Sequence, residues 1–580
     1  MQGTVARSHQ TSSPIVLLTI KRWTSEDYDN SDDEISIDGG DGDEDDSDDG
    51  DEFDDHIVYL KEEMLMILNN DPSLTKLEIG YNEVGGEDFS YFHPPGNDWL
   101  ALGKAVGNNR HLLEISVDKI SATTKRLMEF LPGLSLNRSI KKMTITDWDL
   151  SVIEVQSNLI RFLNDNQALE SLNVWTRRGE VGDVSDMVST LRSFKSLKEI
   201  KTAYCVDNAI EALIGHAGLS KISLCNVRIE ARGCALLASL LENLTSLTLS
   251  HITKIDDPGA STLASGIASN TTLTELILGH LGTITTVGFE AIFDALQRSR
   301  CRLELLTVRV DWTLMSNRIA LFLSRVLLQH KSTLKSLELN NLIGLEFLFQ
   351  LLRGTDSVLE SLSLSHIDDD EMIALSEALI NNNNTKLKEL DMRGNGMNML
   401  TFEGWIAFAT VLSFRNSMLE KMYFSFSTHD TINDNVLISF AEALVNNKML
   451  RELELPVYDF SDITSVITSV GYAAFTCLLC DSSSIMSTYQ SNHTLTRLCD
   501  RYCLRNLPED LRFLLQLNEK NTVSQAARLK IIKTHFSGSE INMQPLHGHG
   551  LVRPAACPSM DGQGRKCVSL VEGRANATGK

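Results

Sequence analysis

The sequence has few basic residues for its length. Its 580 residues include 53 Lys and Arg against 77 Asp and Glu, which gives a net charge of −24. A protein that binds nucleic acid needs an excess of cations to displace the counterions of phosphate. Electrostatic docking on an anionic membrane needs the same excess. The composition therefore disfavours nucleic acid as a partner and predicts no membrane docking.

Long hydrophobic runs and a cysteine framework are also missing. The N-terminal apolar stretch at 14–20 is followed directly by Lys21, Arg22 and Trp23 and has no small-residue cleavage site. It falls well short of the roughly 20 residues that cross a bilayer. Ten Cys in 580 residues do not suggest a secreted disulfide scaffold. We expect a location in the cytosol, with the nucleus as the alternative.

Motifs of catalysis and cofactor binding are absent as well. The sequence contains no G-x-x-x-x-G-K-[ST] phosphate loop, no H-E-x-x-H and no G-x-S-x-G, and no Rossmann fingerprint in a suitable context. No nucleophile is paired with a base by local spacing. We therefore expect neither enzymatic activity nor a cofactor.

The negative charge is concentrated in one segment. Residues 26–55 contain 18 Asp or Glu and no Lys or Arg, so the remaining 550 residues carry a net charge of only −6. This composition cannot bury enough apolar surface to offset the entropy of ordering, so residues 1–57 are predicted to be a largely disordered acidic arm. Ser31 and Ser47 each precede Asp-Asp, which suggests phosphorylation by acid-directed kinases. An EF-hand is disfavoured, because His56 stands where the bidentate Glu is required.

A short pattern, L-x-x-L-x-L with conservative replacements, recurs fifteen times. Successive copies begin 22 to 45 residues apart, and most intervals lie near 28, which leaves room for one strand and one helix in each repeat. The copies begin at Leu74, Leu112, Ile140, Leu169, Leu197, Leu219, Leu244, Leu273, Leu303, Leu334, Leu359, Leu387, Leu419, Leu450 and Leu495.

Side-chain periodicity predicts how each repeat folds. The last two apolar positions of the motif are two residues apart and point to one face of a strand. Helical apolar patterns follow, most clearly at 373–380 and 440–444, and several helices end in Asn-rich segments, where Asn tolerates the left-handed cap conformation. Strands and helices in regular alternation predict an α/β fold with a parallel sheet. Neighbouring repeats must stack, because a single repeat cannot bury its own apolar face.

The fifteen motifs resemble the leucine-rich repeat family, in particular its ribonuclease-inhibitor-like subclass with long repeats. The resemblance covers about residues 70–505 and implies a right-handed, horseshoe-like solenoid with inner strands and outer helices. It implies a solenoid of about 15 repeats at 58–505, after the arm at 1–57. Two helical patterns predict a C-terminal cap at 506–536, and the composition of 537–580 predicts a disordered tail. The family's Asn/Cys position is filled by Asn82, Cys205, Asn395 and Cys503, whereas many other copies are apolar there.

The family binds proteins on the concave strand face, and the motif identifies the residues that would form it. The third, fifth and seventh residues of each copy point outward, and adjacent strands are ~4.8 Å apart, so these residues form a ribbon. The ribbon is small and neutral at its centre. Trp, Tyr and Arg dominate binding hot spots. The candidates for partner binding are Trp175, Arg309, Arg393 and Tyr423 on the ribbon and Trp312 in a following loop.

Four cysteines and three histidines could either bind a metal ion or have a structural role. Cys477, Cys480, Cys499 and Cys503 have nearly the spacing of a zinc ribbon, but the first two lie in a helical pattern, which favours buried structural cysteines. His251, His280 and His366 share one repeat position, for which hydrogen bonding in a loop is favoured over metal binding. We predict no metal site.

The features together predict a non-enzymatic protein-interaction scaffold that binds a partner protein on the concave strand face. The acidic arm would steer a basic partner toward the protein or shield the concave face. The alternative is a GTPase-activating protein that resembles the Ran-activating leucine-rich repeat proteins, with a small GTPase as partner. Those proteins share the long repeats and an acidic segment, although theirs is usually C-terminal and no catalytic residue of theirs matches this sequence.

Overall fold

The structure of the chain is a computed structural model. The acidic arm, Trp312 and the predicted tail lie outside the residues that it describes. The described residues are 57–59, 61–84, 88–93, 98–117, 124–148, 152–176, 190–192, 196–203, 210–211, 213, 216, 218–309, 317–340, 346–354, 356–365, 367–381, 386–393, 400–414, 417–424, 432–455, 467–499 and 507–536.

Fifteen of the described strands are parallel neighbours in one sheet, and each begins at the third residue of a predicted repeat motif. The sequence order of these strands is also their spatial order. The architecture is that expected of a leucine-rich-repeat solenoid. The parallel strands are β2 (Lys76–Val84), β4 (Glu114–Val117), β5 (Lys142–Trp148), β6 (Ser171–Thr176), β7 (Glu199–Ala203), β8 (Lys221–Cys225), β9 (Ser246–Ile252), β10 (Glu275–Leu281), β11 (Leu305–Arg309), β12 (Ser336–Asn340), β13 (Ser361–Leu364), β14 (Glu389–Met392), β15 (Lys421–Phe424), β16 (Glu452–Leu455) and β17 (Arg497–Cys499).

Helices alternate with these strands, and the helical patterns predicted at 373–380 and 440–444 both lie in helices. Within the described part of the chain, no helix is long and apolar enough to cross a membrane. The helices are α1 (Lys61–Leu68), α2 (Trp99–Asn108), α3 (Thr124–Leu134), α4 (Ile153–Asp165), α5 (Ala231–Leu240), α6 (Asp257–Ser269), α7 (Thr286–Arg298), α8 (Asn317–His330), α9 (Glu346–Arg353), α10 (Asp369–Asn381), α11 (Phe402–Ser413), α12 (Asp434–Leu444), α13 (Ser469–Leu479), α14 (Ile485–Gln490), α15 (Glu509–Lys520) and α16 (Val523–His535).

The apolar residues of the motif form a continuous core between the sheet and the helices. In β10, Leu276 and Leu278 are 0% and 1% exposed, whereas Ile277 between them is partly exposed. Phe289 and Phe293 of α7 are buried in the same cluster. Burial of every second residue in strands such as β10 places the helices on one face of the sheet. In β11 to β16 the third residue, on the opposite face, is buried as well.

Buried asparagines join successive repeats where a helix turns into the next strand. Asn270, which follows α6, donates from Nδ2 to the carbonyls of Leu241 and Leu244 in the preceding repeat. Its Oδ1 accepts from the amides of Thr272 and Leu273, at 2.7 and 2.6 Å. The same arrangement recurs at Asn109, Asn137, Asn447 and Asn492.

The expected left-handed conformation is wrong for the Asn-rich helix ends at 108–109 and 446–447. Asn109 has φ −71° and ψ 133°, an extended conformation that lets its side chain reach the preceding repeat. Left-handed backbone occurs at Asn70, just after α1, and near strand ends at Asn226, His251 and His280, with φ near 50°.

A second set of bonds joins the starts of consecutive helices. Asp434 of α12 accepts from the Thr468 amide and hydroxyl, at 2.8 and 2.6 Å, and from the Gly471 amide at 3.1 Å in the next repeat. A Cβ at Gly471 would lie 2.7 Å from the Asp434 carboxylate. Asp257 makes the same contacts to the start of α7. This contact therefore requires glycine at the third residue of the helix.

The two ends of the array differ from its repeats. At the first end, β3 (Asp88–His93) pairs antiparallel with β2, and β1 (Ile57–Tyr59) pairs parallel with β3. At the last end, α15 and α16 lie where the sequence has two helical patterns. Lys530 of α16 is 1% exposed and donates to the Leu479 carbonyl at 2.7 Å and to His493 Nδ1 at 3.2 Å. The buried amino group of Lys530 thus joins the cap to the last repeat.

Candidate functional site: the open face of the sheet

We define the open face as the side chains of the first, third and fifth residues of the parallel strands. In this register the first residues of neighbouring strands lie directly opposite each other, from Lys76 through Glu114 and Lys142 to Ser171. The same pairing continues from Glu275 through Leu305 and Ser336 to Ser361. Aligned rows of side chains are therefore held at the spacing of the strands.

Alternating charges line the open face and its border near the starts of β5 to β7. Glu170 lies between Lys141 and Lys198, with its carboxylate 3.3 and 2.5 Å from their ammonium groups. The hydrogen bond from Lys198, and to a smaller extent the one from Lys141, lowers the pKa of the Glu170 carboxyl. A cavity of about 400 Å³ lies at this border, lined by Leu113, Glu114, Lys141, Lys142, Glu170, Ser171, Lys198, Glu199, Ser220 and Lys221. Because positive and negative side chains are interleaved, the cavity does not favour a ligand of one charge.

An ion pair lies on the open face at β11 and β12. Arg309 donates to Glu338 Oε1 from Nη2 at 2.6 Å and from Nε at 2.9 Å. The hydroxyl of Thr307 donates to the other carboxylate oxygen at 3.2 Å. The two charged side chains are 17% and 9% exposed. Arg309 is therefore held in place by the protein before any partner arrives.

A larger network covers β14 to β17. Arg393 forms a bidentate ion pair with Asp391, with contacts of 3.0 and 2.7 Å, and this hydrogen bonding raises the pKa of Arg393. Its guanidinium also lies 4.8 Å from the centre of the Tyr423 ring. The Tyr423 hydroxyl donates to Glu452 at 3.0 Å, and Arg497 donates to the same oxygen at 3.0 Å. Burial of Tyr423, followed by the charge of Glu452, raises the pKa of its phenol.

The structure places four of the five predicted binding residues on the open face. Trp175 is partly exposed and donates from Nε1 to the side chain of Asn173. Arg393 and Tyr423 are in contact, whereas Trp175 and Arg309 lie on distant strands, so the structure does not join the four into one cluster. Tyr423 is only 8% exposed, which corrects the expectation that it is exposed. Their role in binding stays a prediction.

The structure disfavours the zinc reading of the cysteines. Cys477 is disulfide-bonded and therefore has no free thiolate to offer a metal. Cys480 is buried and lies 3.3 Å from the hydroxyl of Thr534. The side chains of Cys499 and Cys503 lie outside the described residues. Among the described residues, no group of three His, Cys, Asp or Glu side chains is placed to hold a metal ion.

Two of the three repeat-related histidines are stacked. The rings of His251 and His280 have centroids 4.7 Å apart and planes inclined by 18°. Both residues have left-handed backbone, with φ 52° and 48°. His366 lies outside the described residues, as do Cys205 and Asn395. The histidine position is therefore a structured turn at the ends of two neighbouring strands.

The charge pairing between repeats is not apparent in any single motif. Aligning the second motif residue of successive copies would have revealed it, because Lys141, Glu170 and Lys198 alternate in sign, as do Glu304, Lys335, Glu360 and Lys388. The bridges Lys335–Glu304 and Lys388–Glu360 measure 2.8 and 2.7 Å.

Comparison with known proteins does not assign the chain to a family. No protein-family model matches the chain. A search of curated proteins finds no match either.

Proposed function

We propose that the chain is a non-enzymatic scaffold of the long-repeat, ribonuclease-inhibitor-like leucine-rich-repeat type, and that it binds a partner protein on the open face. The observation that carries the proposal is the register of the sheet: fifteen strands present aligned side chains on one face, and helices cover the other. A surface of aligned strands is long enough to contact a folded protein, and its side chains can vary without changing the fold.

The state of the charged side chains supports the same proposal. Arg309 and Arg393 are already hydrogen-bonded to Glu338 and Asp391, so their side chains lose little conformational freedom on binding. Preorganised side chains of this kind reduce the entropic cost of association. We further propose that the acidic arm increases the association rate of a basic partner, because its 18 carboxylates lie within 30 residues.

The test is affinity purification of the full chain followed by mass spectrometry, with Trp175→Ala and Arg309→Ala combined in one variant. The matched control is Ile153→Ala, which removes a 72% exposed side chain from α4 on the helix side. We expect the face variant to lose at least tenfold of a specific partner and the control to retain it, at a temperature where circular dichroism shows both variants to be folded. Retention of every partner by the face variant would refute binding through these residues.

Deletion of residues 1–57 tests the role of the arm. We expect slower association with a basic partner at low ionic strength and little difference at high salt, because screening removes the steering. Association rates that are equal at both salt concentrations would contradict that role.

A further inference from the structure

Two aliphatic side chains occupy the centre of the open face. Ile277 is the third residue of β10 and Leu305 is the first residue of β11, and both are partly exposed. The strand register pairs Glu275 with Leu305 and Ile277 with Thr307. Ile277 and Leu305 are therefore diagonal neighbours, a relation in which Cα atoms lie about 7–8 Å apart. Together they form an apolar spot on the open face, next to the ion pair of Arg309 and Glu338.

Residues with short side chains lie beside this spot on β9 and β10. Thr248 and Ser250 of β9 pair with Ile277 and Gly279. A Cβ placed on Gly279 would lie 3.2 Å from the Ser250 hydroxyl and 3.7 Å from Cδ of Arg309. The side chains of Ser250 and Arg309 thus cover the buried Gly279, next to Ile277.

Ion pairs border the apolar spot on both sides. Arg309 and Glu338 are 2.6 Å apart at one side, and Lys221 and Glu275 are 3.9 Å apart at the other. An apolar centre inside a polar border is the arrangement typical of protein–protein interfaces. Because the bordering charges already have partners, a charged group placed over the centre would lose its hydration without gaining a counterion.

We propose that Ile277 and Leu305 form the anchor site of the open face, and that the occupant is a partner protein that places an uncharged aliphatic or aromatic side chain on them. This inference rests on the proposed function and specifies the class of partner. The site favours an uncharged side chain, because its centre offers apolar contact area and its bordering charges are already paired. The ion pairs at the border then orient the partner.

The experiment selects random 16-residue peptides displayed on phage against the full chain. We expect the enriched peptides to contain fewer charged residues than the library and to share an aliphatic or aromatic position. Synthetic copies should bind Ile277→Lys and Leu305→Lys at least tenfold more weakly than the original chain. Ile277→Thr keeps a β-branched strand residue and should weaken binding by a smaller factor, which separates loss of the anchor from loss of the fold.

The matched control is Val287→Lys, since Val287 is 59% exposed on α7, on the helix side, and we expect unchanged binding. Peptides rich in charge whose binding survives both lysine variants, but is lost in Arg393→Ala, would overturn this inference and leave the proposed function standing. Peptides that bind only through the helix side would overturn both. A failure to enrich any peptide would also count against the anchor site.

Discussion

Replacing Asn270 by Ala tests whether buried asparagines hold neighbouring repeats together. The Asn270 side chain is 0% exposed. It donates to two backbone carbonyls of the preceding repeat and accepts from two backbone amides of its own repeat. Alanine would leave the amides of Thr272 and Leu273 without their acceptor, whereas the Leu244 carbonyl keeps the Thr272 hydroxyl and the Leu241 carbonyl keeps the Leu244 amide. The change therefore acts on the junction between β9 and β10 without touching the apolar core.

The expected magnitude follows from the two backbone amides that lose their acceptor. Each buried polar group that loses its partner costs about 1–3 kcal/mol. Relaxation around the smaller side chain keeps the total cost below the upper end of the summed range. We expect local destabilisation of about 4 kcal/mol. Hydrogen–deuterium exchange measures this locally, because repeat arrays open by segments. Amide protection in β9 and β10 should fall by a factor of about 10²–10³, since each 1.4 kcal/mol is tenfold.

Asn435→Ala is the matched control, because Asn435 is exposed on α12 and Ala is the better helix former. It should leave protection in β9 and β10 unchanged. A change of less than tenfold in the Asn270→Ala chain, with an intact far-ultraviolet spectrum, would refute the reasoning. It would mean that other groups or water satisfy the two backbone amides.

Three further predictions concern the helix starts, the C-terminal cap and the network around Tyr423. Gly471→Ala should lower the stability of the last repeats by about 1–3 kcal/mol in urea titrations, because its Cβ would clash with Asp434. Burial and the neighbouring Lys530 lower the pKa of His493 to about 4, so between pH 6.5 and 4 only the unfolded chain binds this proton. The urea midpoint should therefore fall as the pH drops through that interval, and less so in His493→Gln. Tyr423→Phe should cost about 1 kcal/mol in the same titration, because it removes one hydrogen bond to a carboxylate.

The positions of the strands could be predicted from the sequence because they depend on a local pattern. The spacing of the apolar residues in L-x-x-L-x-L sets which side chains enter the core, and Leu276 and Leu278 show the expected burial. Fifteen copies of one pattern leave a single arrangement of strands that buries all of them. The helices at 373–380 and 440–444 follow from the same reasoning with a helical period.

The contacts between repeats could not be read from any single motif. Asn or Asp stands three residues before the first motif position in ten of the fifteen copies, but a helix-end Asn suggests a left-handed cap when it is read alone. Its actual role depends on carbonyls about 26 to 29 residues earlier in the case of Asn270. The burial of Tyr423 likewise arises from neighbours on other strands, among them Arg393.

The paired charges and the apolar centre contribute differently to binding. Arg309 and Arg393 already donate hydrogen bonds to Glu338 and Asp391. Contacts with these arginines therefore orient a partner protein but add little to the free energy of binding. Fully burying an aliphatic side chain contributes about 1.5–3 kcal/mol. Ile277 and Leu305 are already partly buried, so together they retain at most about 2 kcal/mol for a partner, or roughly 30-fold in affinity. Substituting the arginines should therefore alter specificity and stability together, whereas substituting the two aliphatic residues should alter affinity alone.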